Sequence, residues 1–234
     1  MSYTVLARKY RPQKLSELLG QDTLVKVITN SFRLNRIAHA FLLTGSRGIG
    51  KTSTARIIAK GLNCIEPSNN NLPTVDPCGK CETCISITES RHIDVIEMDA
   101  ASRTGVSDVR EIIDNIDYKT VYARFKVYII DEVHMLSNSA FNALLKTLEE
   151  PPEHVKFIFA TTDVLKIPNT IISRCQRFDL ERIDNKLITK HLSDICNRED
   201  IDFSASALSM ISNVSEGSVR AVSYTHLRAH ETHN

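Results

Sequence analysis

Gly45-Ser46-Arg47-Gly48-Ile49-Gly50-Lys51-Thr52 fits the pattern G-x-x-x-x-G-K-[ST] in full. It follows the short apolar run His39–Thr44 (HAFLLT) and leads into a helix-patterned stretch, Ser53–Leu62. Strand, glycine-rich turn and helix in that order build a phosphate cradle. Backbone N–H groups curl around an anion there, and the helix N-terminus adds partial positive charge. On this reading Gly45, Ser46, Arg47, Gly48, Ile49, Gly50 and Ser53 wrap a triphosphate, and Lys51 reaches its β- and γ-phosphates. Thr52 offers its hydroxyl to Mg²⁺. A chance glycine-rich turn with a solvated lysine would need neither flanking element.

Working outward, Ile93–Met98, Lys126–Asp131 and Val155–Thr161 repeat the pattern of short strands buried on both faces, with a fifth around Gln176–Leu180. Helical stretches lie between them. In one, Phe141, Leu144, Leu145 and Leu148 form a single apolar stripe that Pro151-Pro152 stops. Strands alternating with helices predict a doubly wound α/β fold, a parallel sheet covered on both sides.

Val127-Tyr128-Ile129-Ile130-Asp131-Glu132 supplies the partner motif. An apolar strand ending in a carboxylate puts Asp131 near the metal at the C-terminal sheet edge. Glu132 is then available to polarise an attacking water. A site that only held nucleotide would not require Glu132, so hydrolysis is the better expectation. Two more positions could sense a γ-phosphate: Thr162, after the fourth strand, and Arg174, in Ser173-Arg174-Cys175. From sequence alone each reads equally as a structural hydrogen bond or salt bridge.

Beyond residue 180 the strands cease. Leu187, Ile188, Leu192 and Ile195 mark one amphipathic helix, and Ala207, Leu208, Ile211 and Val214 another; Gly217-Ser218 could open a third. The expected division is an α/β domain over 1–180, an incomplete helical domain over 181–221, and a tail over 222–234 that reads as non-native. That tail carries three histidines and no apolar periodicity.

Cys78, Cys81 and Cys84 stand in a C-x-x-C-x-x-C run, with Cys64 upstream, inside an insertion over about 64–84. Four thiolates suit a closed tetrahedral Zn²⁺ that staples a loop too polar to hold itself. An iron–sulfur pattern would expect a following Cys-Pro, and unligated thiols are the third reading. Cys175 and Cys196 read as core residues, and the eight histidines show no H-E-x-x-H-type spacing.

Composition excludes more than it selects. The chain has 234 residues, 42% hydrophobic and 24% charged, with net charge +1. Any nucleic-acid contact must therefore come from a local patch. No apolar run is long enough to span a bilayer, and the first residues lack a signal-peptide core. A cytoplasmic protein is expected, and its six cysteines are then thiols or metal ligands.

Tyr10-Arg11-Pro12, His39-Ala40-Phe41, the phosphate loop, the four cysteines, Asp131-Glu132-Val133-His134, Leu148-Glu149-Glu150-Pro151-Pro152 and Ser173-Arg174-Cys175 together resemble the gamma/tau subunits of bacterial DNA polymerase III. The resemblance runs from about Tyr3 to Arg220. It implies an AAA+ fold, a RecA-like domain followed by a three-helix lid. It also implies an ATPase motor that joins related clamp-loader subunits to place the sliding clamp on primed DNA. Thr162 then matches the first sensor, Arg174 the finger acting on a neighbour's ATP, and Arg220 the second sensor. Tyr10 and Arg11 match the segment closing over adenine, and Arg103 and Arg110 the region facing DNA.

One departure is visible. Where the resemblance implies an acidic residue and an apolar helix after Arg220, the chain reads Ala221-Val222-Ser223-Tyr224-Thr225-His226-Leu227-Arg228. The last lid helix and a collar domain are then expected to be missing. Two other readings compete. A DExH-type helicase would need a second RecA-like domain, for which 234 residues leave no room. A non-hydrolysing scaffold arm would not need Lys51, Thr52 and Glu132 intact.

Overall fold

Alternate side chains of a strand point to opposite faces, so a strand buried on both sides must be apolar throughout. The computed structural model, which describes residues 6–66, 72–102, 106–215 and 217–218, has the inner three strands of its sheet buried nearly end to end, among five strands in all. They are β1 (Ala40–Thr44), β2 (Val95–Asp99), β3 (Lys126–Asp131), β4 (Val155–Thr161) and β5 (Gln176–Asp179). They form one parallel sheet in the order β2-β3-β4-β1-β5. Every residue of β1 and β4 is buried. Phe41, Leu43, Val127, Ile129, Ile158 and Ala160 feed the core on one face. Leu42, Tyr128, Ile130, Phe157 and Phe159 feed the other.

Helices cover both sides. The first face packs α2 (Asp22–Arg33) and α3 (Lys51–Asn63), which supply Leu24, Ile28, Phe32, Ile57, Ile58 and Leu62. The second packs α5 (Val106–Ile116), α6 (Asn138–Glu149) and α7 (Asn169–Ile172). A four-residue helix, α1 (Leu6–Lys9), precedes them, and α4 (Glu82–Thr88) follows α3. The predicted stripe on α6 holds: Phe141, Leu144 and Leu148 are buried, and Ser137 Oγ accepts from Ala140 N at 3.3 Å at its start. Truncating a ring as buried as Phe141 costs about 3–5 kcal/mol.

A third cluster unites α8 (Asn185–Arg198) and α9 (Ala205–Val214) through Ile188, Leu192, Ile195, Cys196 and Leu208. Leu6, Tyr10 and Leu19 pack against it, so the N-terminal segment bridges the helical pair and the sheet. The crossing point is pinned at Gln21, which is 4% exposed. Its Nε2 donates to Glu181 O at 2.8 Å and its Oε1 accepts from Glu181 N at 3.1 Å. The expected third helix, the tail over 222–234, Arg103 and Arg220 lie outside the described residues.

In this strand order only β4 separates β1 from β3. Their C-terminal ends are therefore about 10 Å apart. Ligands of open α/β sheets collect along that edge.

Candidate functional site

The chain leaves β1 and turns through the phosphate loop into α3. Gly50, at φ +105°, is the residue that makes the last step, in a region where a side chain would be strained. As N-cap it offers no side-chain hydrogen bond. The first-turn N–H groups of α3 have no intrahelical partners, which suits them to an anion. Lys51, 5% exposed, donates from Nζ to Gly45 O at 2.8 Å and Ser46 O at 2.9 Å. Burial pushes its pKa down, while Glu132 and Asp131 push it up. The ammonium thus sits inside the loop facing two carboxylates.

Those carboxylates end β3. Thr52 Oγ1 donates to Asp131 Oδ2 at 2.5 Å, and the other oxygen, Oδ1, accepts from Glu132 N at 3.0 Å. That second bond steadies Glu132 in the left-handed region at φ 48°, which costs a non-glycine residue about 1–3 kcal/mol. Glu132 Oε2 accepts from Thr162 N at 3.2 Å and Thr162 Oγ1 at 2.9 Å. Thr162 follows the end of β4, the strand beside β3. His134 Nδ1 lies 3.4 Å from the same carboxylate oxygen and 2.9 Å from Thr161 Oγ1.

A cleft of about 900 Å³ opens above this edge. Arg47 through Ser53, Asp131, Glu132 and Arg11 line it, and Gly45 and Ser46 are not among its lining residues. Tyr10 is not among its lining residues; its hydroxyl donates to Glu199 beside the Lys9–Glu199 ion pair, tying the N-terminal segment to α8. Arg110 is exposed on α5.

Arg174 lies at the far end of the sheet. Gln176 pairs with Phe41, so Arg174 sits level with the start of β1, and its backbone lies beside His39. The phosphate loop leaves the opposite end of β1, roughly 15–20 Å away at the strand rise, beyond an arginine's reach. Its guanidinium donates to Thr170 O at 2.6 Å and pairs with Glu149.

Gln13, Arg56 and His191 are among the cleft-lining groups that escaped the sequence reading. Arg56 grips Glu97 of β2 with two bonds of 2.7 and 2.8 Å. Its position one helical turn after Thr52 was a usable signal. Gln13 and His191 reach the cleft only through tertiary packing. Burial lowers the His191 pKa, with Asp194 opposing and Arg198 adding to it.

The four cysteines converge. All four Sγ atoms lie within 4.8 Å of one another, with Cys78 and Cys84 4.0 Å apart. Tetrahedral thiolates around one zinc stand about 3.8 Å from each other. Backbone N–H groups of Cys78, Lys80, Cys81 and Cys84 point at sulfurs at 3.3–3.5 Å, an arrangement that favours thiolate charge. Buried Lys60 and the Arg124 guanidinium, which bonds the Leu62 and Cys64 carbonyls, flank the cage with positive charge. The donor set fits a single tetrahedral ion, and a multi-iron cluster would spread its ligands wider.

A family model described as DNA polymerase III, delta subunit, matches residues 20–184. The chain belongs to this family. Among its relatives, the chain is similar to tau and gamma subunits. It is 52% identical over 220 residues to the DNA polymerase III tau/gamma subunit of Haemophilus influenzae, covering 94% of this chain and 31% of that one. The tau subunit of Escherichia coli matches at 52%, covering 94% and 33%. The gamma subunit of Buchnera aphidicola from Acyrthosiphon pisum matches at 53%, covering 94% and 60%. The chain thus spans about a third of the first two relatives. The solved structure of the Thermotoga maritima RuvB Holliday junction branch migration motor matches with a TM-score of 0.66 at 18% identity. That likeness covers 95% of this chain and 65% of RuvB, and shows that the two share a fold.

Proposed function

We propose that this chain is an ATP-hydrolysing motor of a bacterial clamp loader, which spends ATP to place the sliding clamp on primed DNA. The bond between Thr52 and Asp131 carries the reading, because it joins the phosphate loop to the acidic end of β3. The tau and gamma relatives supply the biological setting.

In this mechanism the first-turn N–H groups of α3 and Lys51 hold the β- and γ-phosphates. Thr52 and Asp131 would hold Mg²⁺, which neutralises charge on the phosphates when bound. Glu132 accepts a proton from the attacking water, and Thr162 fixes its carboxylate through two bonds. Arg174 serves the site of a neighbouring subunit, since it cannot reach its own. In that assembly its bond to Glu149 gives way to the neighbour's γ-phosphate. Arg11 borders the nucleotide from the N-terminal side. Arg220 acts as second sensor, and Arg103 and Arg110 face DNA. Residues 1–180 form the motor domain and 181–221 the lid.

Cys64, Cys78, Cys81 and Cys84 would hold a structural Zn²⁺ that fastens the insertion. With four protein ligands the ion has no open position for substrate. Among the described residues no helix is long and apolar enough to cross a membrane. We place the protein in the cytoplasm with its replication partners, the related clamp-loader subunits, the sliding clamp and primed DNA. Turnover of ATP by the full-length form, measured with clamp and primed DNA, tests the reading. Stimulated hydrolysis is expected; nucleotide binding without turnover would make it a scaffold.

A further inference from the structure

Between the phosphate loop and the cysteine cage lies a polar contact that neither site requires. Lys60, on the last turns of α3, is 2% exposed and donates from Nζ to Gln13 Oε1 at 2.7 Å. The same oxygen accepts from Thr88 Oγ1 at 3.3 Å, at the C-terminal end of α4. Gln13 Nε2 donates onward to Arg11 O at 3.0 Å, and Gln13 N donates to Glu17 Oε2 at 2.6 Å. Arg11, Gln13 and Thr88 all line the nucleotide cleft.

The insertion packs against the same turn of α3. Thr74 N donates to Gly61 O at 2.8 Å, and a Cβ at Gly61 would meet the Thr74 carbonyl at 2.5 Å. A second tie runs from Lys14 Nζ to Asp76 at 2.9 Å, again from the N-terminal segment to the insertion. A buried ammonium is costly unless an anion or acceptor satisfies it. Gln13 Oε1 supplies that acceptor.

We propose that Gln13 is a positioning residue for the nucleotide, held by Lys60 beneath the cysteine insertion, so that the insertion orders the Arg11–Gln13 wall of the cleft. The inference rests on the nucleotide-site reading above. It gives the insertion a task beyond fastening itself: the metal-binding loop fixes the lysine, the lysine fixes the glutamine, and the glutamine fixes the backbone bordering the ligand.

The test is a double-mutant cycle in the full-length chain with Gln13→Ala, Lys60→Met and both. It is read by equilibrium titration with a fluorescent ATP analogue and by zinc content. Each single variant is expected to weaken analogue binding about tenfold, the scale of one hydrogen bond to a charged group. The double variant is expected to bind no worse than either single one, because one linkage is cut twice. Zinc content stays at the wild-type value, and in turnover the loss falls on KM more than on kcat. Should Lys60→Met fail to fold, Gln13→Ala alone decides. Binding within about twofold of wild type, or losses that multiply in the double variant, would overturn the proposal. A wild-type chain that binds no analogue would instead sink the nucleotide-site reading beneath it.

Discussion

Thr52 Oγ1 and Asp131 Oδ2 stand 2.5 Å apart although 79 residues separate them in sequence. The contact crosses β4 from the first turn of α3 to the end of β3, and it brings a hydroxyl and a carboxylate to one point at the mouth of the phosphate loop. Two oxygen ligands at the end of an amide-lined loop are what a magnesium-bound triphosphate needs. Beside them, Glu132 is fixed by Thr162 rather than by the loop.

Glu132→Gln removes the proton acceptor while keeping the bonds from Thr162. Hydrolysis is expected to fall about 10²–10⁴-fold with nucleotide affinity nearly unchanged. Single-turnover kinetics alongside nucleotide titration check this, and a wild-type rate would remove Glu132 from the chemistry.

Arg174→Ala is expected to leave each chain's own nucleotide affinity intact. It should slow hydrolysis in the assembled complex by about 10³-fold or more, the scale of a finger supplied across an interface. Mixing mutant and wild-type subunits checks the direction. The defect must appear at the neighbour's site, and a defect confined to the mutant's own site would refute the geometry.

Asp94 offers a stability prediction independent of function. Its carboxylate is 1% exposed and accepts from Val121 N, Tyr122 N and Ala123 N at 2.8–2.9 Å. Burial raises its pKa, but the three backbone donors and His92 more than offset this, and the net shift is downward. A carboxyl depressed on folding stabilises the protein above its unfolded pKa, near 3.8, and that contribution is lost as pH falls through the lower folded value. Asp94→Ala should cost about 2–4 kcal/mol at pH 7, since three buried donors lose their acceptor. In urea unfolding the gap to wild type is expected to narrow below about pH 3.5; a gap constant with pH would contradict the charge-based account.

Metal analysis of the purified protein is expected to give about one zinc per chain, and Cys84→Ser to lower both metal content and thermal stability. Iron in place of zinc, or no metal with full stability, would overturn the assignment.

The sheet was legible because its chemistry is local. Leu42 and Leu43, or Ile129 and Ile130, are adjacent apolar residues on opposite faces, and only a doubly covered strand explains such runs. The phosphate loop and the acidic pair were legible because fixed spacing carries their geometry. Gln13, His191 and the grip of Lys60 were not, since nothing near them in sequence says which residues face them. Tyr10 shows the same limit: its neighbour Arg11 lines the cleft, while its own hydroxyl turns to Glu199, 189 residues away.

Equilibrium binding of labelled ATP with Mg²⁺ to the wild-type chain and to Lys51→Ala tests the phosphate-cradle claim most directly. The account predicts saturable binding by the wild type and a loss of about 100-fold or more in the variant, the value of a buried ammonium contacting two phosphates. Equal affinity in the two proteins would contradict it.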